Sequence, residues 1–362
     1  MSRAASHGLR LGLDATPLLG ARTGIGRFAG ALLSALNDDR AGDEQLVAAA
    51  FTLRGRRGLV VPPGVLVQAR GFPARGLQAA WARTEFPPVE LLTGGLDVFH
   101  ATNFVLPPLR RARGVVTVHD LAFLRMTETV STASARYRTL VPRSLRRASV
   151  VLTPSEAVAD QVREAYGPTA PVLAVPHGVD AAWGDAQAPD AALRSRLGLP
   201  ASYVLFVGTL EPRKDLATLL AAHRLVPDAP PLVLVGPPGW GEQVDVTGCV
   251  TPGYLDDGDL RPVVAGAAAL VLPSRDEGFG LPLLEALAAG TPVVASDLPV
   301  LREVGGGHPT YAGVGDAEAF ADALHAVLDR PGEPGPRRRH AATFTWARTA
   351  ALHREAYAMA LA

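Results

Sequence analysis

Along almost its whole length the chain alternates short, β-branched apolar runs with stretches of helical period. That alternation dictates parallel sheets covered by helices on both faces. The first series holds "LRLGLDA" (Leu9–Ala15), a Gly-rich loop and the helical "IGRFAGALLSALND". It continues through "QLVAAAFTL" (Gln45–Leu53), "DVFHAT" (Asp97–Thr102), "GVVTVHDL" (Gly114–Leu121), "ASVVLTPS" (Ala148–Ser155) and "APVLAVPHGVD". Asp180–Pro200 is polar and weakly patterned and reads as a join. A second series opens at "SYVLFVGTL" (Ser202–Leu210) and runs through "PPLVLVG" (Pro230–Gly236), "CVTPGYL", "AALVLPS" (Ala268–Ser274) and "TPVVASD" (Thr291–Asp297). A chain of 362 residues exceeds one ordinary core. The expected architecture is α/β, with two Rossmann-like doubly wound domains over 1–180 and 198–340. "PGEPGPRRRH" (Pro331–His340) reads as a loop, after which a helix within 343–362 crosses back onto the first domain, with Phe344, Ala347, Leu352 and Tyr357 as its apolar candidates. Ligands of such sheets collect at the carboxyl ends of strands, so the expected site is a central cleft faced by both domains.

Composition excludes several classes. The formal net charge is zero, so nothing global points to nucleic acid and any anion site must be local. Cys249 is the only cysteine, which rules out a disulfide framework within the chain. "MSRAASHGLRLGLDATPLLG" lacks the apolar centre of a signal peptide, and no uninterrupted apolar run reaches the length of a spanning helix. A cytoplasmic protein is expected.

Within this frame one segment is anomalous. "EGFGLPLLEALAAG" (Glu277–Gly290) is apolar from Leu281 to Ala289 except for Glu285. Pro282 suits the first position of a helix, and Gly290 with Pro292 suits its end, which puts Glu285 in the first turn, at the positive end of the helix dipole. The N–H groups of Gly278, Phe279, Gly280 and Leu281 can cradle phosphate oxygens, and Glu277 and Glu285 can accept hydrogen bonds from sugar hydroxyls. Pairing of Glu285 with a buried arginine, and a surface position for Glu277, would explain the same residues. A second constellation, "GTLEPRKD" (Gly208–Asp215), sets Gly208 and Thr209 at a strand's carboxyl end and Arg213 and Lys214 just beyond. Two adjacent cations there can hold a diphosphate, and Lys214 is the only lysine in an arginine-rich chain. The competing interpretation is a solvated basic pair beside an Asp215 helix cap.

"GTLEPRKD" followed by "SRDEGFGLPLLEALAAGTPVVASDLPVLREVGG" resembles the retaining glycosyltransferases of the GT-B fold, the large family 4 that contains bacterial mannosyltransferases and sucrose synthases. "LDATPLLGARTGIGRFAGALLSAL", "VHDLAFL" and "TPSEAVADQVREAYG…VLAVPHGVD" extend the similarity over nearly the whole chain. The resemblance implies that the diphosphate of a sugar nucleotide lies on Arg213, Lys214 and the Gly-rich loop amides. It further implies that Glu285 holds the ribose, that Glu277 contacts the donor sugar, and that His119 lies beside that sugar. Gly24 and Gly26 match a first-domain glycine loop facing the diphosphate. Gly253 and Tyr254 stand where the base binds, and GDP-mannose is the donor the resemblance favours.

The expected reaction is retaining transfer of a hexose to a hydroxyl of a glycan, lipid-linked or small-molecule acceptor. Arg213 and Lys214 stabilise the leaving diphosphate, so no cofactor and no metal are expected. "DDGD" (Asp256–Asp259) could hold Mg²⁺, but Asp257 or Asp259 capping the helix "LRPVVAGAA" is the reading preferred. Arg136, Arg143 and Arg147 fall near one helical face, which offers peripheral contact with an anionic inner membrane surface beside the alternative of a solvated face. Acceptor contacts are expected from Phe104–Arg113 and Leu124–Ser134. Three rivals remain: a sugar-nucleotide epimerase of the same fold, a non-catalytic nucleotide-sugar-binding subunit, and an NADP enzyme. The last rests on the weak match "GARTGIGRFAG", which no acidic residue after the second strand supports.

Overall fold

The computed structural model describes residues 8–20, 24–52, 58–126, 135–240 and 244–362. The chain divides into two compact units. Of the described residues, one unit comprises those up to Arg125, then 135–178, and the C-terminal Trp346–Ala362; the other comprises Met126 and those from Val179 to Thr345.

The first unit is built on a seven-stranded parallel sheet: β1 (Arg10–Asp14), β2 (Gln45–Phe51), β3 (Leu66–Arg70), β4 (Val98–Ala101), β5 (Arg113–Thr117), β6 (Val150–Thr153) and β7 (Val172–Ala174). Their spatial order is β3-β2-β1-β4-β5-β6-β7. The second unit carries a six-stranded parallel sheet: β8 (Val204–Val207), β9 (Leu232–Val235), β10 (Val250–Gly253), β11 (Ala269–Leu272), β12 (Val293–Ser296) and β13 (Thr310–Ala312), in the order β10-β9-β8-β11-β12-β13. Both sheets are doubly wound. The winding reverses between β1 and β4 in one and between β8 and β11 in the other, and such switch points are where ligands bind.

Period-two alternation explains why these strands are continuously apolar. In β8, Leu205 and Val207 enter one core while Val204 and Phe206 enter the other; β9 and β11 divide their residues in the same way. The helix Leu281–Ala289 is buried along its length from Leu283. Among the described residues no helix is long and apolar enough to cross a membrane.

Several expectations need correction. The edge strands β3 and β13 are not among the apolar runs read from the sequence: Leu66 of β3 is exposed and Val67 to Ala69 are half-buried, while β13 has three residues of which Ala312 alone is buried. The stretch Asp180–Pro200 is not an unpatterned join: Ala181–Trp183 and Ala191–Leu197 are helical, and Trp183 is buried in the second unit's core. "PGEPGPRRRH" is not a surface loop. Pro334–Ala341 is a helix, Arg337 is buried, and its guanidinium donates to the Gly290 and Pro331 carbonyls at 2.9 and 2.7 Å. Arg338 donates to the Ala289 carbonyl at 3.0 Å. These arginines satisfy carbonyls at the end of the Leu281–Ala289 helix that have no partner inside it.

The last helix, Trp346–Leu361, belongs to the first unit. Its buried face is Thr349, Ala350, His353, Ala356, Tyr357 and Ala360; Ala347 is exposed, and Phe344 precedes the helix and packs edge-on to Phe279 in the second unit. The Tyr357 hydroxyl lies 2.8 Å from His100 Nδ1, and the Thr349 hydroxyl donates to the Pro176 carbonyl at 2.8 Å.

Candidate active site

In the second unit the loops after β8 and β11 flank the switch point and are stitched together. The Arg275 N–H donates to the Arg213 carbonyl at 2.9 Å, and the Arg275 guanidinium donates to the Asp215 carboxylate at 2.9 Å. Asp215 holds left-handed backbone (φ 49°) and accepts from the Thr218 hydroxyl at 2.9 Å, so it braces the loop. It occupies the N-cap position of Leu216–Leu225 without bonding a backbone N–H there.

Lys214 is buried, and its Nζ lies 2.5 Å from Glu277 Oε1. Ser274 Oγ donates to the same oxygen at 2.7 Å. Burial alone raises the Glu277 carboxyl, but the charges of Lys214 and Arg213, with hydrogen bonds from Lys214 and Ser274, outweigh it and hold it below the ordinary range. Glu277 is therefore an anion, unsuited to donate a proton. Neither the solvated pair nor the surface carboxylate describes these residues. Arg213 pairs with the buried Glu211, Nε to Oε1 at 2.9 Å. An ammonium has three donors, so Lys214 retains capacity for ligand oxygens beyond Glu277.

Gly208 lies over this pair: a Cβ there would stand 3.7 Å from Lys214 Cε. Thr209 follows it, half-buried. Gly278 and Phe279 are buried in the turn that leads to Gly280, which caps the next helix in left-handed backbone (φ 89°), where a Cβ would meet Leu301 at 2.6 Å. Leu281 is the first helical residue and Pro282 the second. Glu285, 3% exposed, is consequently the fifth and lies in the second turn, not the first. Gly253 ends β10 (φ 80°), and Tyr254 beside it is exposed.

"DDGD" also differs from expectation. Asp256 is the cap of Asp257–Ala265, accepting from the Asp259 N–H at 3.1 Å, while Asp259 pairs with Arg196. Asp257 and Asp259 lie inside the helix because its first turn starts one residue early.

The remaining predicted residues are in the first unit. Gly24 and Gly26 stand in the first turn of the helix Gly24–Asp38, Gly26 buried; 21–23 of the preceding loop lie outside the described residues. His119, just past β5, is buried and its Nε2 lies 2.7 Å from the Thr102 carbonyl. Burial lowers its pKa, so it is neutral; Nε2 donates and Nδ1 carries the lone pair. It joins His100, His177 and His353 around Phe28, the ring centroids of His119, His177 and His353 lying 5.1, 4.4 and 6.0 Å from that of Phe28. His100 reaches the group through His353, at 5.4 Å.

The basic helical face is partly consumed. Arg143 and Arg147 both donate to Glu85, at 3.2 and 2.7 Å, and Arg147 also to the Leu106 carbonyl at 3.0 Å. Of the expected acceptor loops, 127–134 lie outside the described residues.

Sequence reasoning missed Ser274 and the bracing pair Asp215–Arg275. Ser274 stands three residues before Glu277, a spacing that could have raised it as a partner.

The profile for "Glycosyltransferase Family 4" matches residues 23–183, and that for "Glycosyl transferases group 1" matches residues 201–330. The chain is 32% identical to O-antigen chain mannosyltransferase B of Escherichia coli over 64% of its length and 65% of the relative's. It is 34% identical to the phosphatidyl-myo-inositol mannosyltransferase of Mycobacterium leprae over 74% and 75% of the two chains. The matches thus span about two thirds to three quarters of these relatives. Sucrose-phosphate synthase from Thermosynechococcus elongatus superposes with a TM-score of 0.77 at 20% identity, covering 97% of this chain and 98% of that one. Anabaena HepE in complex with UDP-glucose gives 0.69 at 19% identity, over 97% and 100%. The chain belongs to glycosyltransferase family 4 and is built on the GT-B fold.

Proposed function

We propose that the protein is a retaining, metal-independent hexosyltransferase that takes its sugar from a nucleoside-diphosphate donor. The observation that carries this is the pair of cations on the loop after β8, each held by a buried carboxylate: Arg213 by Glu211 and Lys214 by Glu277. Positive charge fixed in advance at a sheet's switch point suits a leaving group that gathers negative charge. In the step envisaged, the bond from the sugar's anomeric carbon to the diphosphate oxygen breaks and an acceptor oxygen bonds that carbon on the same face. The acceptor's proton passes to the departing diphosphate. Glu277 orients Lys214, and Glu285 receives the ribose hydroxyls. The names of the mannosyltransferase relatives favour mannose, and the O-antigen relative favours a glycan or lipid-linked acceptor.

The test is incubation with GDP-, UDP- and ADP-hexoses, with and without cell-envelope glycans, in EDTA. Nucleoside diphosphate release coupled to a product of unchanged anomeric configuration, undiminished by the chelator, is expected. Inverted product, or strict dependence on added metal, contradicts the proposal; conversion of the donor to a free epimer would identify an epimerase instead.

A further inference from the structure

The cation-bearing loop after β8 is tied to the loop after β11 at three consecutive residues. The Arg213 carbonyl accepts from the Arg275 N–H at 2.9 Å, and Lys214 Nζ meets Glu277 Oε1 at 2.5 Å. The Asp215 carboxylate accepts from the Arg275 guanidinium, Oδ2 from Nε at 2.9 Å and Oδ1 from Nη2 at 3.3 Å. Arg275 thus grips the residues on both sides of Lys214, one with its backbone and the other with its side chain.

Asp215 serves this contact instead of its own helix. It stands at the N-cap position of Leu216–Leu225, yet its carboxylate accepts from no backbone N–H there and bonds the Thr218 hydroxyl. Its backbone is left-handed, φ 49° and ψ 50°, a conformation that glycine holds without strain. The carboxylate is buried, while the Arg275 side chain is 54% exposed. An ion pair with one partner in water adds little to stability, so folding alone does not account for a strained, buried aspartate at this position. What the pair fixes is the direction of the loop. Charge that acts on a departing anion must stand in place beforehand, and small misplacements slow the chemical step.

We infer that Arg275 is a positioning residue for transfer: with Asp215 it holds the loop so that Arg213 and Lys214 meet the diphosphate where negative charge gathers. This rests on the nucleotide-sugar reading above and extends it to a pair that acts through the cations. The Arg275 N–H contact survives any side chain there, so the side-chain tie can be removed alone.

The test uses the full-length protein, Arg275→Ala, Asp215→Gly, their double variant and Arg275→Lys. It measures single-turnover transfer at saturating donor, from whichever GDP-, UDP- or ADP-hexose the wild type uses, with donor affinity by calorimetry and thermal unfolding to confirm the fold. Arg275→Ala and Asp215→Gly are each predicted to slow the chemical step about tenfold and to bind the donor within about threefold of wild type. The double variant is no slower than either, because both substitutions break the same tie. Arg275→Lys keeps a charge opposite Asp215 and recovers part of the loss. A wild-type protein that transfers no hexose overturns the donor reading and this inference with it. An unchanged single-turnover rate in Arg275→Ala, beside an active wild type, overturns the inference alone. So do losses that multiply in the double variant, which would make the two residues independent. Donor affinity lost in Arg275→Ala but kept in Asp215→Gly also overturns it, and would make Arg275 a direct donor contact.

Discussion

Lys214 and Glu277 form an ion pair inside the second unit, Nζ to Oε1 at 2.5 Å, across 63 residues of sequence. Removing one member of such a pair strands a buried charge, at a cost of about 3–5 kcal/mol, whereas replacing both with apolar groups of similar volume is often neutral. Lys214→Ala is expected to lower the unfolding midpoint markedly. Lys214→Met combined with Glu277→Leu is expected to regain the midpoint yet remain inactive in transfer. Thermal unfolding beside an activity assay separates the two effects; a double variant as unstable as Lys214→Ala would contradict the pairing argument.

Glu285 is a buried carboxylate in an otherwise apolar helix. Glu285→Gln, which removes the charge and keeps the side chain's shape, is expected to leave the protein folded. Donor affinity should fall roughly 10- to 100-fold, the size of one or two lost hydrogen bonds to a charged acceptor. Stability retained with donor affinity unchanged would remove Glu285 from the donor site.

Arg337 donates to the carbonyls of Gly290, Pro331 and Gly332. Arg337→Ala should destabilise by about 1.5–3 kcal/mol, the scale of a charged hydrogen bond, through the end of the Leu281–Ala289 helix. Donor KM should change little, because no part of this contact touches the loop that holds Lys214. Urea unfolding and steady-state kinetics check the two halves of this expectation.

Four histidines are buried among the described residues of the first unit, and they are expected to make folding pH-dependent. Burial lowers all of them: His119 below its ordinary value, His353 to about 4, and His100 and His177 well below the usual range. Above the unfolded value of 6.5 both states are neutral and these groups contribute no slope. As pH falls below 6.5 the unfolded chain takes up protons that the folded one refuses, so stability declines, by up to about 1.4 kcal/mol per pH unit per histidine. For His353 that decline continues to about pH 4. Unfolding free energy measured from pH 7.5 to 5 should drop steeply, and less steeply in His353→Gln.

Much of this was readable from the chain. The inner strands are continuously apolar because both faces of the sheet are covered, so each stands out as an apolar run between turn residues; β3 and β13, at the edges, carry no such run. The helix around Glu285 was legible because Pro282 and Gly290 bracket it, although its start at Leu281 shifts Glu285 by a turn. The Pro334–Ala341 helix was hidden: Pro, Gly and Arg read as loop, and the carbonyls that bury Arg337 and engage Arg338 lie nearly fifty residues away. The partners of Lys214 and Arg147 are likewise set by tertiary contact, which local spacing does not encode.

The account rests on the two cations acting on the departing diphosphate, and single-turnover transfer by Arg213→Ala tests it most directly. With donor saturating, the rate of the chemical step is predicted to fall about 100-fold or more while the fold is kept. An unchanged single-turnover rate in a folded Arg213→Ala protein would contradict it.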